Sequence, residues 1–252
     1  MRMKLICCDV FLRPVSAFVA TSPHTIDVEY VPMLAHNEPN KLRINLQNRI
    51  NAAAALRDYD QFLLLYGLCG NATLGLTCPV KMIMPRVHDC CTMFMGSKEK
   101  FAEAFGNNLS MRWCTSGYYE RCYIDNGLDG NQSRSRETYP EYQALIQQFG
   151  EDNAEYIWET MHPEIETPEA AYIKIPGFEI TSHEAAFQSL VEEQGKTLRV
   201  LEGDIIYLQD MINGPWDNKR FLTVCPGEKI GAVYDMEQVV SSQAFTPCPS
   251  WT

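Results

Sequence analysis

Cys8, Cys69 and Cys90 each stand where a short apolar run gives way to a turn, in KLICCD, FLLLYGLCGN and VKMIMPRVHDC. If those runs are neighbouring strands of one parallel sheet, their carboxyl ends open into a single crevice, the usual ligand site of an open α/β sheet. The three sulfurs would then converge. Convergent thiolates suit zinc, with a fourth ligand or an open water position, and equally a [4Fe–4S] cluster with one iron left for substrate. His36, just past the alternating run DVEYVPM, is a candidate fourth ligand or acid/base. Arg86 and His88, in MPRVHDC, are candidates for a clamp on an anionic substrate and for proton transfer. Plainer readings compete with each of these. Cysteine is among the most buried residues and packs as a small hydrophobe, Arg86 has Asp89 as a nearby partner, and a loop histidine commonly only hydrogen-bonds.

Around Cys69 the stretch GLCGNATLG follows an apolar run, and the backbone amides of Gly67, Gly70 and Asn71 could cradle a phosphate or carboxylate. The spacing is not G-x-G-x-x-G and no P-loop lysine follows, so a nucleotide is weakly supported. The simpler role for these glycines is a sharp turn that brings Cys69 close to a bound group. Tyr118 and Tyr119 lie near the same predicted edge, where a ligand contact competes with ordinary packing. No G-x-S-x-G elbow supports serine catalysis.

The elements that must position these residues alternate. KLICCD and DVEYVPM read as strands, and PNKLRINLQNRINAAAALRDYD as a helix with Leu42, Leu46, Ile50 and Ala54 near helical spacing behind an initial proline. FLLLYG is continuously apolar, as a strand buried on both faces would be. VKMIMP, then the helix SKEKFAEAFGNN and the strand MRWCTSGYYE complete the first half. Residues 120–138 are polar and glycine-rich. Beyond them come the helices PEYQALIQQFG and EDNAEYIWETMH, followed by AYIKIP, SHEAAFQSLVEEQG, TLRVLEG, GDIIYLQDMING and RFLTVCPGEKI as strands and helices in turn. The expected fold is therefore α/β, with mainly parallel sheets and flanking helices. It forms one large domain or two similarly wound Rossmann-like lobes around one cleft, with residues 1–119 carrying the cysteine site and residues 120–252 the second lobe. The tail SSQAFTPCPSWT reads as an extension docked on the rest.

With 252 residues, 46% hydrophobic and 21% charged, the chain can bury its own core. A net charge of −11 repels phosphate backbones and anionic lipid, and no basic patch offsets it, so nucleic acid is excluded as a partner and a small or cationic one is favoured. No apolar run approaches the roughly 20 residues of a membrane span, and the apolar part of MRMKLICCDV is too short for a secretory segment. A cytoplasmic location is expected. Ten cysteines, some adjacent, in a chain this large argue for reduced thiols in an anaerobic or strongly reducing host rather than for a disulfide framework.

ICCDV, MLAHNEPNKL, YGLCGN, and HDC followed by MFMGSKEKF together resemble the bacterial and archaeal family named domain of unknown function 1638. The features that recur there fall on Cys8, on His36 with Asn37 and Pro39, on Cys69 with Gly70, and on Cys90 ahead of Phe94 and Gly96. Cys7 and Cys91 sit beside matching cysteines, so either could replace its neighbour as a ligand; His88 matches less securely. The resemblance implies a fold and a site but no reaction. By association only, it implies one-carbon metabolism near a corrinoid protein or its methyltransferase. The leading expectation is a metal- or iron–sulfur-dependent enzyme acting on a small polar, methylated or amine-bearing metabolite. The alternatives are a non-catalytic metal-binding accessory protein of a corrinoid system, and a metal-free thiol enzyme with Cys69 as nucleophile.

Overall fold

The structure, a computed structural model, describes residues 1–106, 111–125, 140–161, 167–233 and 238–245. Most of the glycine-rich stretch after residue 125 and most of the tail lie outside the described residues. Strand β1 (Arg2–Cys8) leads through helix α1 (Leu12–Thr21) to β2 (Thr25–Val31), and α2 (Pro39–Leu56) leads on to β3 (Gln61–Leu65). After β4 (Met82–Pro85) come the short helices α3 (Cys90–Met95) and α4 (Lys98–Phe105). Strand β5 (Arg112–Cys114), helices α5 (Ser116–Tyr119), α6 (Pro140–Phe149) and α7 (Glu151–Met161), and then β6 (Glu169–Lys174), α8 (Thr181–Glu193), β7 (Thr197–Glu202) and α9 (Ile206–Asn213) follow. The last described elements are β8 (Phe221–Val224), β9 (Glu228–Ala232) and β10 (Val240–Ala244).

The first sheet has the order β2-β1-β3-β4-β8, in which β1, β2, β3 and β4 run parallel and β8 runs antiparallel against β4. The crossover through α1 steps to one side of β1, and the crossover through α2 returns past β1 to the other. The strand order therefore reverses between β1 and β3, and a crevice opens at their carboxyl ends. Every residue of β3 is buried, as its unbroken apolar pattern requires of a central strand. The mixed α/β fold expected from the alternation is the one observed. Helix α1 lies in the stretch after KLICCD that the sequence pattern marks only as loop; Pro14 falls in its first turn, where the missing N–H does no harm, and Val15 is buried against the core.

A second sheet, β5-β6-β7, is parallel throughout, and β9 and β10 form an antiparallel ribbon. Sheet membership does not follow the division expected at residues 119 and 120: β5 precedes it yet pairs with β6, and β8 follows it yet pairs with β4. RFLTVCPGEKI, read as one strand, splits at Cys225 into β8 and β9. MRWCTSGYYE is extended only over β5, because the Thr115 hydroxyl accepts the Tyr118 N–H at 3.0 Å and starts α5.

The two parallel sheets meet at their carboxyl edges. Gly117, just after β5, comes so close to the turn after β1 that a Cβ there would lie 2.4 Å from the Val10 carbonyl oxygen. Gly203, just after β7, is close to the Phe94 carbonyl, 2.8 Å from a Cβ placed there, and that carbonyl accepts the Asp204 N–H at 2.8 Å. A run of aromatic contacts, Phe11 to Phe94 to Trp113 to Tyr118, crosses the same seam with centroid separations of 4.8, 6.2 and 4.9 Å. The crevice of the first sheet is thus roofed by the loops of the second.

Candidate functional site

Cys8 is the last residue of β1, and in the β1–β3 register Cys7 lies opposite Leu65, so Tyr66 follows beside Cys8 at the strand reversal. The chain then turns back along the loop after β4. Leu68 N–H donates to the Val87 carbonyl at 2.9 Å and Cys69 N–H to the His88 carbonyl at 2.8 Å. Gly67 permits this approach: a Cβ there would sit 2.7 Å from the Asp89 nitrogen and 2.8 Å from the His88 carbonyl carbon and oxygen. Cys69, Gly70 and Asn71 then take positive φ values of 46°, 63° and 69°, a left-handed stretch unusual for two residues bearing a Cβ. Arg43 of α2 clasps it through the Asn71 carbonyl at 2.7 Å. Cys90 opens α3, which Asp89 caps by accepting the Thr92 N–H at 3.0 Å.

These loops bring Cys8, Cys69 and Cys90 into one another's electrostatic field. Burial pushes the Cys90 thiol far above its ordinary value, and Asp89, Cys8, Cys69 and Cys91 push it further. Burial raises Cys8 as well, opposed by the Val10 N–H and reinforced by Asp9 and Cys69. Cys69 is raised by burial to about 12, with the Gly67 N–H opposing and Asp89 adding. All three are neutral thiols near pH 7. Among the described residues, no three His, Cys, Asp or Glu side chains are grouped as a preformed metal cage.

The other expected residues divide. The Arg86 guanidinium faces the β8–β10 side, where Nε donates to the Asn218 and Phe221 carbonyls at 2.9 and 3.3 Å and Nη1 to those of Gln238 and Val240. Its expected partner Asp89 is instead engaged with Thr92. The His88 side chain is exposed at the rim, and only its carbonyl joins the Cys69 turn. His36 lies in the 3-10 turn Met33–Asn37, where burial lowers its pKa and a hydrogen bond with the Met33 backbone opposes the shift. Tyr118, carried on the second sheet's first loop, lies in the field of Cys90. Two residues at the centre were missed, Tyr66 and Asp9. In the sequence they show only as a tyrosine closing the apolar run FLLLY and an acid directly after the cysteine pair.

An open hollow of about 430 Å³ lies elsewhere, between α2 and the β1–β2 strands, and is lined by Lys4, Glu29, Arg49 and Tyr59 among others. Lys4 and Arg49 both pair with Glu29 there, and no thiol reaches it. Chemistry therefore points to the strand reversal rather than to the hollow.

The lowered pKa of His36 has a consequence for stability. Its folded-state value lies below 6.5, so its contribution is complete above about pH 6.5 and is lost as the pH falls through the folded value, where only the unfolded chain readily takes the proton. Urea midpoints measured from about pH 7.5 down to 5 should fall less steeply in His36→Asn than in the wild type. Identical slopes would mean that this imidazole is not the one resisting protonation.

The model of the family described as protein of unknown function, DUF1638, matches residues 30–212. The chain belongs to that family. The DUF1638 match covers His36, Cys69 and Cys90 and begins after Cys8, whose place beside them rests on the β1–β3 pairing. It ends at α9, before β8 closes the first sheet. No curated protein and no solved structure matches the chain.

Proposed function

We propose that this protein is a metal-dependent enzyme in which Cys8, Cys69 and Cys90 hold a soft cation at the carboxyl edge of the first sheet, next to the binding place of a small polar metabolite. The observation that carries this reading is the sign of the field. The charged neighbours of these thiols are Asp9 and Asp89, both of which oppose ionisation, and a first thiolate would oppose the next; the opposing help comes from backbone N–H groups. A nucleophilic cysteine needs a lowered pKa and a nearby cation, and neither accompanies Cys69, which disfavours the metal-free thiol enzyme. A cation entering in place of the thiol protons turns the same surroundings into an attractive site.

The donor set fits a thiolate-preferring ion. A bound zinc would supply Lewis-acid polarisation of a substrate oxygen or of a water. The chain's own residues narrow the crevice: the Thr115–Tyr119 loop closes on Val10 just past Cys8, and Tyr118 sits on the Cys90 side. His88, exposed at the rim, is suited to exchange protons with solvent.

Metal quantitation on protein purified anaerobically tests the reading. The expected result is about one zinc per chain, bound by the wild type and lost in Cys69→Ser. Brown protein with iron and sulfide would replace zinc by a cluster. Unchanged metal content in Cys69→Ser, or no metal under these conditions, would overturn the proposal. An accessory role beside a corrinoid protein or methyltransferase would instead appear as bound metal, a co-purifying partner and no turnover by the chain alone.

A further inference from the structure

Helix α2 carries Lys41, Arg43 and Arg49 and no acid, in a chain with 32 acidic residues against 21 basic ones. Lys41 pairs with Glu38, and Arg49 with Glu29. Arg43 pairs with no carboxylate among the described residues; its guanidinium makes one hydrogen bond there, from Nη2 to the Asn71 carbonyl at 2.7 Å, and its Nε is buried without an acceptor. A half-buried cation with no counter-charge is costly, and a buried donor left unpaired in a native fold calls for a bound water or ion.

The turn that Arg43 grips offers donors of its own. Cys69, Gly70 and Asn71 all have positive φ, and the Cys69 carbonyl accepts the Ala72 N–H at 3.2 Å. Gly70 and Asn71 are exposed, and their N–H groups have no acceptor among the described residues. The Gly67 N–H, expected to join them, is engaged with the Cys69 sulfur instead. Gly70 lies against the start of α2, where a Cβ on it would come 3.2 Å from Pro39 Cγ. Helix side chains lean toward the N-terminus, so the guanidinium and both N–H groups gather at that end of α2.

We propose that Arg43, with the N–H groups of Gly70 and Asn71, is an oxyanion site that takes the carboxylate or phosphate group of a small ligand. The planar fork of arginine matches either group, and backbone N–H groups complete its shell. The guanidinium stands off from the sulfur, since it has no part in the Cys69 field, and the site needs no metal. Cys69 opens the same turn, so a ligand anchored here by its anionic end lies beside the loop that carries the thiol.

Inorganic phosphate and acetate are the probes, titrated by calorimetry and by amide NMR at constant ionic strength. In the wild type at least one should bind and shift the Gly70 and Asn71 amide signals together with the Arg43 Nε–H signal; the tighter of the two names the ligand's group. Arg43→Gln should weaken that binding about tenfold or more, Arg43→Lys less, because it keeps the charge and loses the fork, and Lys41→Gln by no more than about twofold. Failure of both probes to bind, or shifts confined to Lys4 and Arg49 beside the hollow, would overturn the proposal. An Arg43→Gln protein that melts lower than the wild type yet binds the probe equally would make this arginine only a clasp on the turn. Titration with a chelator present keeps the thiol reading apart: binding that vanishes with the chelator and survives in Arg43→Gln belongs to a metal and sinks the oxyanion site, whereas binding that persists supports it whatever becomes of the thiols. If Arg43→Gln does not fold, the amide shifts of the wild type decide the matter.

Discussion

Gly67→Ala will destabilise the protein by about 2 kcal/mol or more and, on the proposed three-thiol site, will lower its metal content. The added methyl has no escape, because the atoms it meets at 2.7 and 2.8 Å are the backbone of His88 and Asp89 and not the end of a flexible side chain. To admit it, the loop after β3 must part from the loop after β4, and the two hydrogen bonds from Leu68 and Cys69 to Val87 and His88 are what hold them together. Parting them moves Cys69 away from Cys90. Gly75→Ala makes a suitable comparison. Nothing lies within 4 Å of a Cβ at Gly75, so that substitution meets only its left-handed backbone, φ 79°, at about 1 kcal/mol. Urea unfolding of both variants beside metal quantitation is the measurement. A Gly67→Ala protein with a wild-type midpoint and full metal would mean that the two loops need not touch.

The same contact explains what could and could not be read from the sequence. The apolar runs ending at Cys8, Leu65 and Pro85 announced three strands, since buried parallel strands are apolar without alternation. Their adjacency through β1 and β3, and hence the grouping of Cys8 with Cys69, follows from short crossovers and the usual handedness of such units. Arg86 was misjudged because sequence proximity to Asp89 says nothing about direction. Asp89 caps α3 three residues on, while Arg86 is drawn to carbonyls contributed more than a hundred residues later in the chain. The partners of β5 and β8 were equally hidden, since a strand of three or four residues carries too little pattern to name its neighbour. Tyr66 and Asp9 escaped notice for another reason: a tyrosine at a strand end and an acid after a strand are ordinary by type, and only the lack of a partner sets them apart.

The roof over the site has its own dependence on small residues. Gly117 and Gly203 let the loops of the second sheet close on Val10 and Phe94. Cys8 is buried and Cys69 and Cys90 are partly exposed, and burial is the largest cause of the raised value at each of the three. A site crowded in this way holds its protons when empty and surrenders them to a competing cation.

Zinc binding near pH 7 will accordingly release close to three protons per ion, one from each thiol. Every sulfur starts protonated, since burial and the neighbouring Asp9 and Asp89 hold all three above the neutral range, and each must become a thiolate to bind. Mass action then makes the affinity rise by about a thousandfold for each unit of pH while the thiols remain protonated, and flatten only above their raised values. Calorimetry in two buffers of different ionisation enthalpy counts the protons directly. A count near zero in the wild type would mean that the ion is bound by oxygen and nitrogen elsewhere or that the thiols are already ionised, and either result removes the electrostatic argument on which the site rests.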